Sequence, residues 1–171
     1  MKANVTVPMV LSWNFDAVQR VLTAMTMAST LMKAIVSGVQ QRVEHSVDFF
    51  DSSAATYARN RAAFEQQIGL REGDEFSAAA RKAEDYFRQI ERNAARIRTA
   101  AEKAASLPWD LSIAPDGAVR SGKADNDIMQ EYGAEFGLQA LAMKYEAIYE
   151  LEYEIRTALA EIEAAESGSL R

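Results

Sequence analysis

An all-α fold is what this chain of 171 residues predicts: an elongated antiparallel bundle of long helices with one small β-hairpin-like insertion around residues 110–120. Three observations point there. Apolar residues recur three and four apart along three stretches, which on a helix gathers them onto one face. The only strong interruption is Ile113-Ala114-Pro115-Asp116-Gly117-Ala118-Val119. The chain also has no cysteine and one histidine, so packing has to hold the core, and 171 residues suffice for that in a single helical domain, 1–171.

Taken in order, Lys2 precedes the apolar run Val7-Pro8-Met9-Val10-Leu11. Asn14, Asp16 and Arg20 follow quickly and no small-residue cleavage site closes the run, so no secretory signal is expected. Asn4-Val5-Thr6-Val7 alternates polar and apolar residues, the pattern of a third short strand beside the hairpin. The first helix is expected from about 12 to 68, with Ser12 or Asn14 capping its free amides. Its stripe is Val18, Val21, Met25, Ala28, Met32, Ile35 and Val39, continued by Val43, Val47 and Phe50 and then by Ala54, Tyr57, Phe64 and Ile68. Asp51-Ser52-Ser53 either caps a new helix or is passed through. Residues Val21 to Val39 are apolar enough to raise a membrane span. Thr23, Thr26, Ser29, Thr30, Lys33, Ser37 and Gly38 interrupt it, so a buried helix and no stable membrane span are expected.

Two glycines in Gly69-Leu70-Arg71-Glu72-Gly73-Asp74 flank charged residues where the repeat lapses, which predicts a loop. The next helix, about 75–106, has the seam Phe76, Ala80, Ala83, Phe87, Ile90, Ala94, Ile97, Ala101 and Ala104, whose alanines admit a close neighbour. Leu107-Pro108-Trp109 ends it, because proline disfavours helix in the residue before it. Pro115-Asp116-Gly117 then supplies a preset first dihedral and a residue free to take a positive one, as a tight hairpin needs. The last helix is expected over about 125–166, capped by Asp125, with Leu138, Leu141, Tyr145, Ile148, Ile155, Leu159 and Ile162 inward; Glu152 falls in that seam, where Leu151 can take its place.

Little in the chain promises chemistry. Nineteen Lys and Arg against twenty-five Asp and Glu give a net charge of -6, which argues against nucleic acid as a partner. His45 has no patterned partner, and a di-iron bundle would need a Glu-x-x-His motif on each of two helices, so no metal or other cofactor is expected. Glu150, Glu152 and Glu154 alternate, and residues two apart on a helix point away from each other, so they make no carboxylate pair. Arg88, Arg92 and Arg96 form a basic stripe with Arg81, Lys82, Arg98 and Lys103. It either binds phosphates or, the favoured reading, matches the acidic last helix with Glu131, Glu135, Glu146, Glu150, Glu154, Glu161 and Glu163, within the bundle or in an oligomer. Tyr145, Tyr149 and Tyr153, with Tyr132 and Phe136, read as a core edge with wet hydroxyls before they read as a ligand ladder. Met25, Met27 and Met32 are adaptable packing residues that equally suit a partner surface. No catalytic residue is assigned, and an enzyme with unrecognised carboxylates is the least favoured class.

A long helix beginning near Trp13, a turn-like element at Phe50-Asp51-Ser52, an alanine- and arginine-rich second helix and the segment Leu111 to Val119 make a layout that resembles the larger actinobacterial relatives of the WXG-type, ESX-like proteins of type VII secretion. The resemblance covers about residues 12 to 120. In that family a Trp-x-Gly turn joins two antiparallel helices and the pair, often as a dimer, is exported folded. Phe50 stands here for the tryptophan and Ser52 for the glycine. The family's export signal, a tyrosine followed four residues on by an acid, is missing: Tyr145 is followed at that spacing by Tyr149, Tyr149 by Tyr153 and Tyr153 by Thr157.

The resemblance implies a non-enzymatic helical interaction protein, a secretion substrate or the targeting partner of a toxin. The alternative is a cytoplasmic adaptor, chaperone or immunity-type protein that shields its partner. The expected partner is a helical protein or a second copy in a homo-dimer, engaged through Trp13, Met25, Met32, Phe50, Trp109, Tyr149 and Tyr153. The location is cytoplasmic, or outside the cell without a cleaved signal.

Overall fold

Residues 4–46 and 52–168 are described by the computed structural model. Their order is α1 (Val7–Ser12), α2 (Asp16–His45), α3 (Ser53–Ser106), β1 (Leu111–Ile113), β2 (Val119–Ser121) and α4 (Asp125–Gly168). The chain is an all-α helical bundle with one small hairpin insertion. It divides into two units, one of Phe15–Asp85 and one of the residues up to Asn14 together with Tyr86 onward.

In the unit Phe15–Asp85, α2 packs on the first part of α3. The expected start at Ser12 or Asn14 is wrong: Ser12 ends α1, and α2 begins at Asp16 with Phe15 in the cap position and no side-chain cap. Of the two alternatives left open at 51–53, a new helix is the one found, since α2 ends at His45 and α3 begins at Ser53. Ser52 caps α3, its Oγ accepting from the amide of Ala55 at 3.2 Å. Val47, Phe50 and Asp51 lie outside the described residues.

The loop expected at 69–74, and with it the helix end at 68, is not there: α3 runs unbroken from Ser53 to Ser106. Both glycines make room. A Cβ on Gly69 would lie 2.8 Å from Val36 Cγ2, and one on Gly73 would lie 2.9 Å from Lys33 Cγ. With Ser77 they form a small-residue row against which α2 lies closely. There the buried Ser29 hydroxyl is 3.0 Å from the carbonyl of Gly73 and 2.6 Å from Ser77 Oγ, and Lys33 reaches Asp74 at 2.5 Å. The proposed α2 seam is therefore only partly inward. Met25 and Met32 are half-buried, whereas Val21, Ala28, Ile35 and Val39 are exposed, as are Tyr57 and Phe64 on α3.

In the other unit the seam of α3 is as expected at Ile90, Ala94, Ile97 and Ala104, all buried. It ends at Ser106, before Pro108. The hairpin pairs Leu111 with Ser121 and Ile113 with Val119. Its turn is closed by Ala114 N to Ala118 O at 2.8 Å and Gly117 N to Ala114 O at 2.9 Å, with Gly117 at φ 85°. The turn lies on α4, where a Cβ at Gly117 would meet Ile155 Cγ2 at 2.9 Å. No third strand joins it: residues 4–6 are irregular and Val7 opens α1. They are tied down instead by Val7 N to Pro115 O at 3.0 Å and Val5 N to Glu163 Oε1 at 3.3 Å, which seat Val5, Val7 and Val10 in the core.

Helix α4 breaks once, at Gly133, whose φ of 73° and ψ of 172° are not helical. The arm 125–132 folds back along the arm 134–168, so that Met129 meets Gly137; a Cβ there would lie 2.6 Å from Met129 Sδ and 3.2 Å from its Cα. Asp125 is the first helical residue and not the cap, the carbonyl of Ala124 accepting from Asp127 and Ile128. Its carboxylate instead takes Lys144 Nζ at 2.7 Å and Tyr145 Oη at 2.6 Å, which ties the two arms together. Ile128 thereby joins Trp109, Ala140 and Ala147 in a cluster edged by Leu107, Leu111 and Leu141. Leu151, Ile155, Leu159 and Ile162 are buried as the pattern requires, with Leu151 in place of Glu152. Leu138 and Tyr145, expected inward, are exposed.

Candidate docking surface

Of the described residues expected to meet a partner, only Tyr149 and Tyr153 stand on an open surface, 73% and 63% exposed. Trp109 is core. Trp13 is half-buried at the end of α1, its carbonyl accepting from Arg98 Nη2 at 2.8 Å. Met25 and Met32 are half-buried in the other unit, and Phe50 lies outside the described residues. Within the unit of Tyr86 onward, Trp109 and the two tyrosines do not share a surface.

Around the two tyrosines a larger surface forms. Leu138, Ala142, Tyr145, Tyr149 and Tyr153 are four, three, four and four residues apart, which places all five along one face of α4, and all five are exposed. The core-edge reading of the tyrosine ladder is thus corrected. The face that α4 buries carries Lys144, Ala147, Leu151, Ile155 and Ala158, so the tyrosines point the other way. The rings of Tyr149 and Tyr153 stack with centroids 6.4 Å apart and planes 18° apart, forming a ridge. A groove runs along each side. One, of 780 Å³, is bounded by Arg92, Arg96, Thr99 and Lys103 of α3; the other, of 410 Å³, by Ile148, Glu152, Arg156 and Thr157; both tyrosines line both.

The charges around the larger groove are largely spent on each other. Arg96 pairs with Glu154 at 2.7 Å and Glu161 at 3.2 Å, and Lys103 with Glu150 at 3.2 Å. Hydrogen bonding to Arg96 holds the Glu154 carboxyl below its ordinary pKa, with burial opposing. This is the matching of α3 to acidic α4 anticipated above, made by two residues of the basic set. Across the other groove Arg156 reaches Glu152 at 2.8 Å, while a second Glu152 oxygen accepts from the amide of Val119 at 3.1 Å. A carboxylate so engaged is poorly placed to act as a base. His45 lies on α2, its Nδ1 2.7 Å from the carbonyl of Gln41. Among the described residues no three or more His, Asp or Glu groups converge as metal ligands would.

Leu138 and Tyr145 belong to the ridge, though their spacing assigned them to the core. The signal was in the same periodicity: their row is a second repeat on α4, out of phase with Leu151, Ile155 and Ile162. Neither family models, nor curated proteins, nor solved structures match this chain.

Proposed function

We propose that the protein is a non-enzymatic helical interaction protein that seats a helix of another protein on the α4 ridge. The observation that carries this is the stacked Tyr149–Tyr153 pair, exposed between two grooves on α4. Large aromatic side chains that bring apolar area and a polar tip at little entropic cost are the usual anchors of interfaces. The row Leu138, Ala142, Tyr145 and Tyr149 has the three-four spacing that accepts the seam of a facing helix. Glu146 stands exposed beside it, so the fitting helix carries a basic residue on that flank.

The setting is type VII secretion, with the protein as a substrate or the targeting partner of a toxin. This part rests on the layout resemblance, to which the unit Phe15–Asp85 adds a pair of packed helices joined near the expected turn. The second reading, a cytoplasmic adaptor or chaperone, is favoured by the missing tyrosine-acid signal.

A photo-cross-linking residue at Tyr149, with Glu102 as an exposed control on α3, tests the docking in living cells. The expected result is one helical protein captured from position 149 and not from 102, which then binds when purified. Equal capture from both positions, or none, overturns the docking. Appearance outside the cell only with an intact type VII apparatus supports the export setting, and retention favours the adaptor.

A further inference from the structure

The two grooves beside the tyrosine ridge share a wall and differ in size and charge. Both are lined by Tyr149 and Tyr153, but one holds 780 Å³ and the other 410 Å³. In the smaller, the two charged residues, Glu152 and Arg156, pair with each other at 2.8 Å and leave no surplus. In the larger, the cations Arg92, Arg96 and Lys103 meet the carboxylates Glu150 and Glu154. Arg96 and Lys103 are the ones that pair, so a single positive charge is left over, on Arg92. That residue is exposed and has no ion-pair or hydrogen-bond partner among the described residues.

The placement of this charge matters as much as its sign. Arg92 and Lys103 are the two ends of the α3 wall, about 16 Å apart along the helix. Between them the wall is low, because Ala95 and Thr99 are small, and the buried Ala100 and Leu151 close the floor. Arg96 and Lys103, with their charges already answered, add aliphatic stems to this bed. The groove is therefore long and largely apolar, with one unanswered cation at its end. A compact polyanion such as phosphate needs several free donors converging on one point, and among the cations of the groove only Arg92 is free. A neutral chain makes no use of that guanidinium.

We infer that the larger groove is a binding site for a single-chain anionic amphiphile. A carboxylate or similar monoanionic head sits on Arg92, and an unbranched aliphatic chain lies along Ala95, Thr99 and the sides of Tyr149 and Tyr153 toward Lys103. The groove volume falls within the range of small-molecule sites, about 300–1,000 Å³. The chain supplies most of the affinity, since each methylene laid on this bed leaves water. The head supplies direction, because an ion pair on an exposed arginine is weak. The source is the free monomer: a chain lying lengthwise on the protein would have to leave a bilayer entirely. This site is separate from the helix docking proposed above. It leaves Leu138, Ala142 and Tyr145 open, and its test uses no protein partner.

Sodium decanoate, below its micelle-forming concentration, is the probe, added to the isotope-labelled full chain and followed by amide chemical shifts. Saturable shifts are expected at Ala95, Thr99, Tyr149 and Tyr153. Arg92→Gln should raise the dissociation constant by roughly fivefold, the upper end for an exposed ion pair. Ala95→Phe, at an exposed position, should abolish binding by filling the groove. Both variants should keep the native melting temperature. Decyltrimethylammonium, with the same chain and the opposite charge, should bind more weakly than decanoate. Equal binding of the two overturns the inference, as do shifts centred on Ile148 and Arg156 in the smaller groove or on Leu31 and Ile35 of α2. So does inorganic phosphate that moves the same amides as strongly as decanoate, which marks an adventitious anion. Phosphatidylglycerol vesicles should leave these amides unmoved; a response to vesicles and none to decanoate contradicts the free monomer as the source and overturns the site as stated.

Discussion

Gly69 lies against Val36 so closely that a Cβ at its position would come within 2.8 Å of Val36 Cγ2. The two helices of that unit meet at this row, and the glycines of α3 are therefore packing residues. Gly69→Ala should cost about 1–3 kcal/mol by overpacking against a branched, stiff side chain, although alanine is the better helix former. Gly73→Ala should be close to neutral, because the Lys33 stem it meets can shift. Urea denaturation of both variants separates the two outcomes.

Lys144 is 4% exposed and its ammonium has two acceptors, Asp125 at 2.7 Å and the carbonyl of Lys123 at 3.0 Å. Asp125 is nearly half exposed and keeps water when its partner is lost. Removing either member is therefore unequal. Asp125→Ala strands a buried cation and should lower the melting temperature by roughly several degrees. Lys144→Met retains the apolar stem and should lower it by less. Thermal melts followed by circular dichroism give the order directly.

Stability should fall at both ends of the pH range, with opposite causes. Hydrogen bonds from Lys144 and then Tyr145 hold Asp125 below the ordinary carboxyl pKa, and Arg96 does the same to Glu154. A depressed carboxyl contributes fully above its unfolded pKa of about 4 and loses its contribution as pH falls through the lower folded value. Tyr145 is shifted up, chiefly by its hydrogen bond to Asp125. Its contribution is whole below about pH 10 and is lost as pH rises through the folded value. Melting temperatures across pH should thus drop below about 4 and above about 10, and Asp125→Asn should blunt both limbs.

Trp109 is buried, and its Nε1 has no hydrogen-bond partner among the described residues. Trp109→Phe removes that unsatisfied donor while leaving a small void, and the two effects offset to within about 1 kcal/mol. Trp109→Ala opens the cluster around Ile128 and should cost about 3–5 kcal/mol. Chemical denaturation of the pair tests whether the donor is a burden.

The legible parts of the sequence were those where one residue type has one meaning. Pro108 stops a helix, Pro115-Asp116-Gly117 turns a hairpin, and Leu151 displaces Glu152 from the seam because burying that carboxylate would cost more. Gly69 and Gly73 were not legible, because a glycine in a charged stretch looks the same whether it frees the backbone or admits a neighbour. Gly133, which does break its helix, lies in a run with no other sign of an end. On α2 and α4 apolar residues repeat on two faces, and periodicity cannot tell which face meets the rest of its unit. Val21 and Ile35, and with them Leu138 and Tyr145, were assigned inward for that reason. Of the candidate surface, Tyr149 and Tyr153 were found from their spacing, while the larger groove beside them needs a wall from α3 and was invisible in α4 alone.

The central claim is that the protein works by contact through the α4 ridge. Isothermal titration of the helical partner captured at position 149, against the native chain and against Tyr149→Ala/Tyr153→Ala, tests it most directly. The account predicts at least a tenfold weaker dissociation constant for the double variant, with its melting temperature and helix content intact. Equal affinity for the two chains would contradict it.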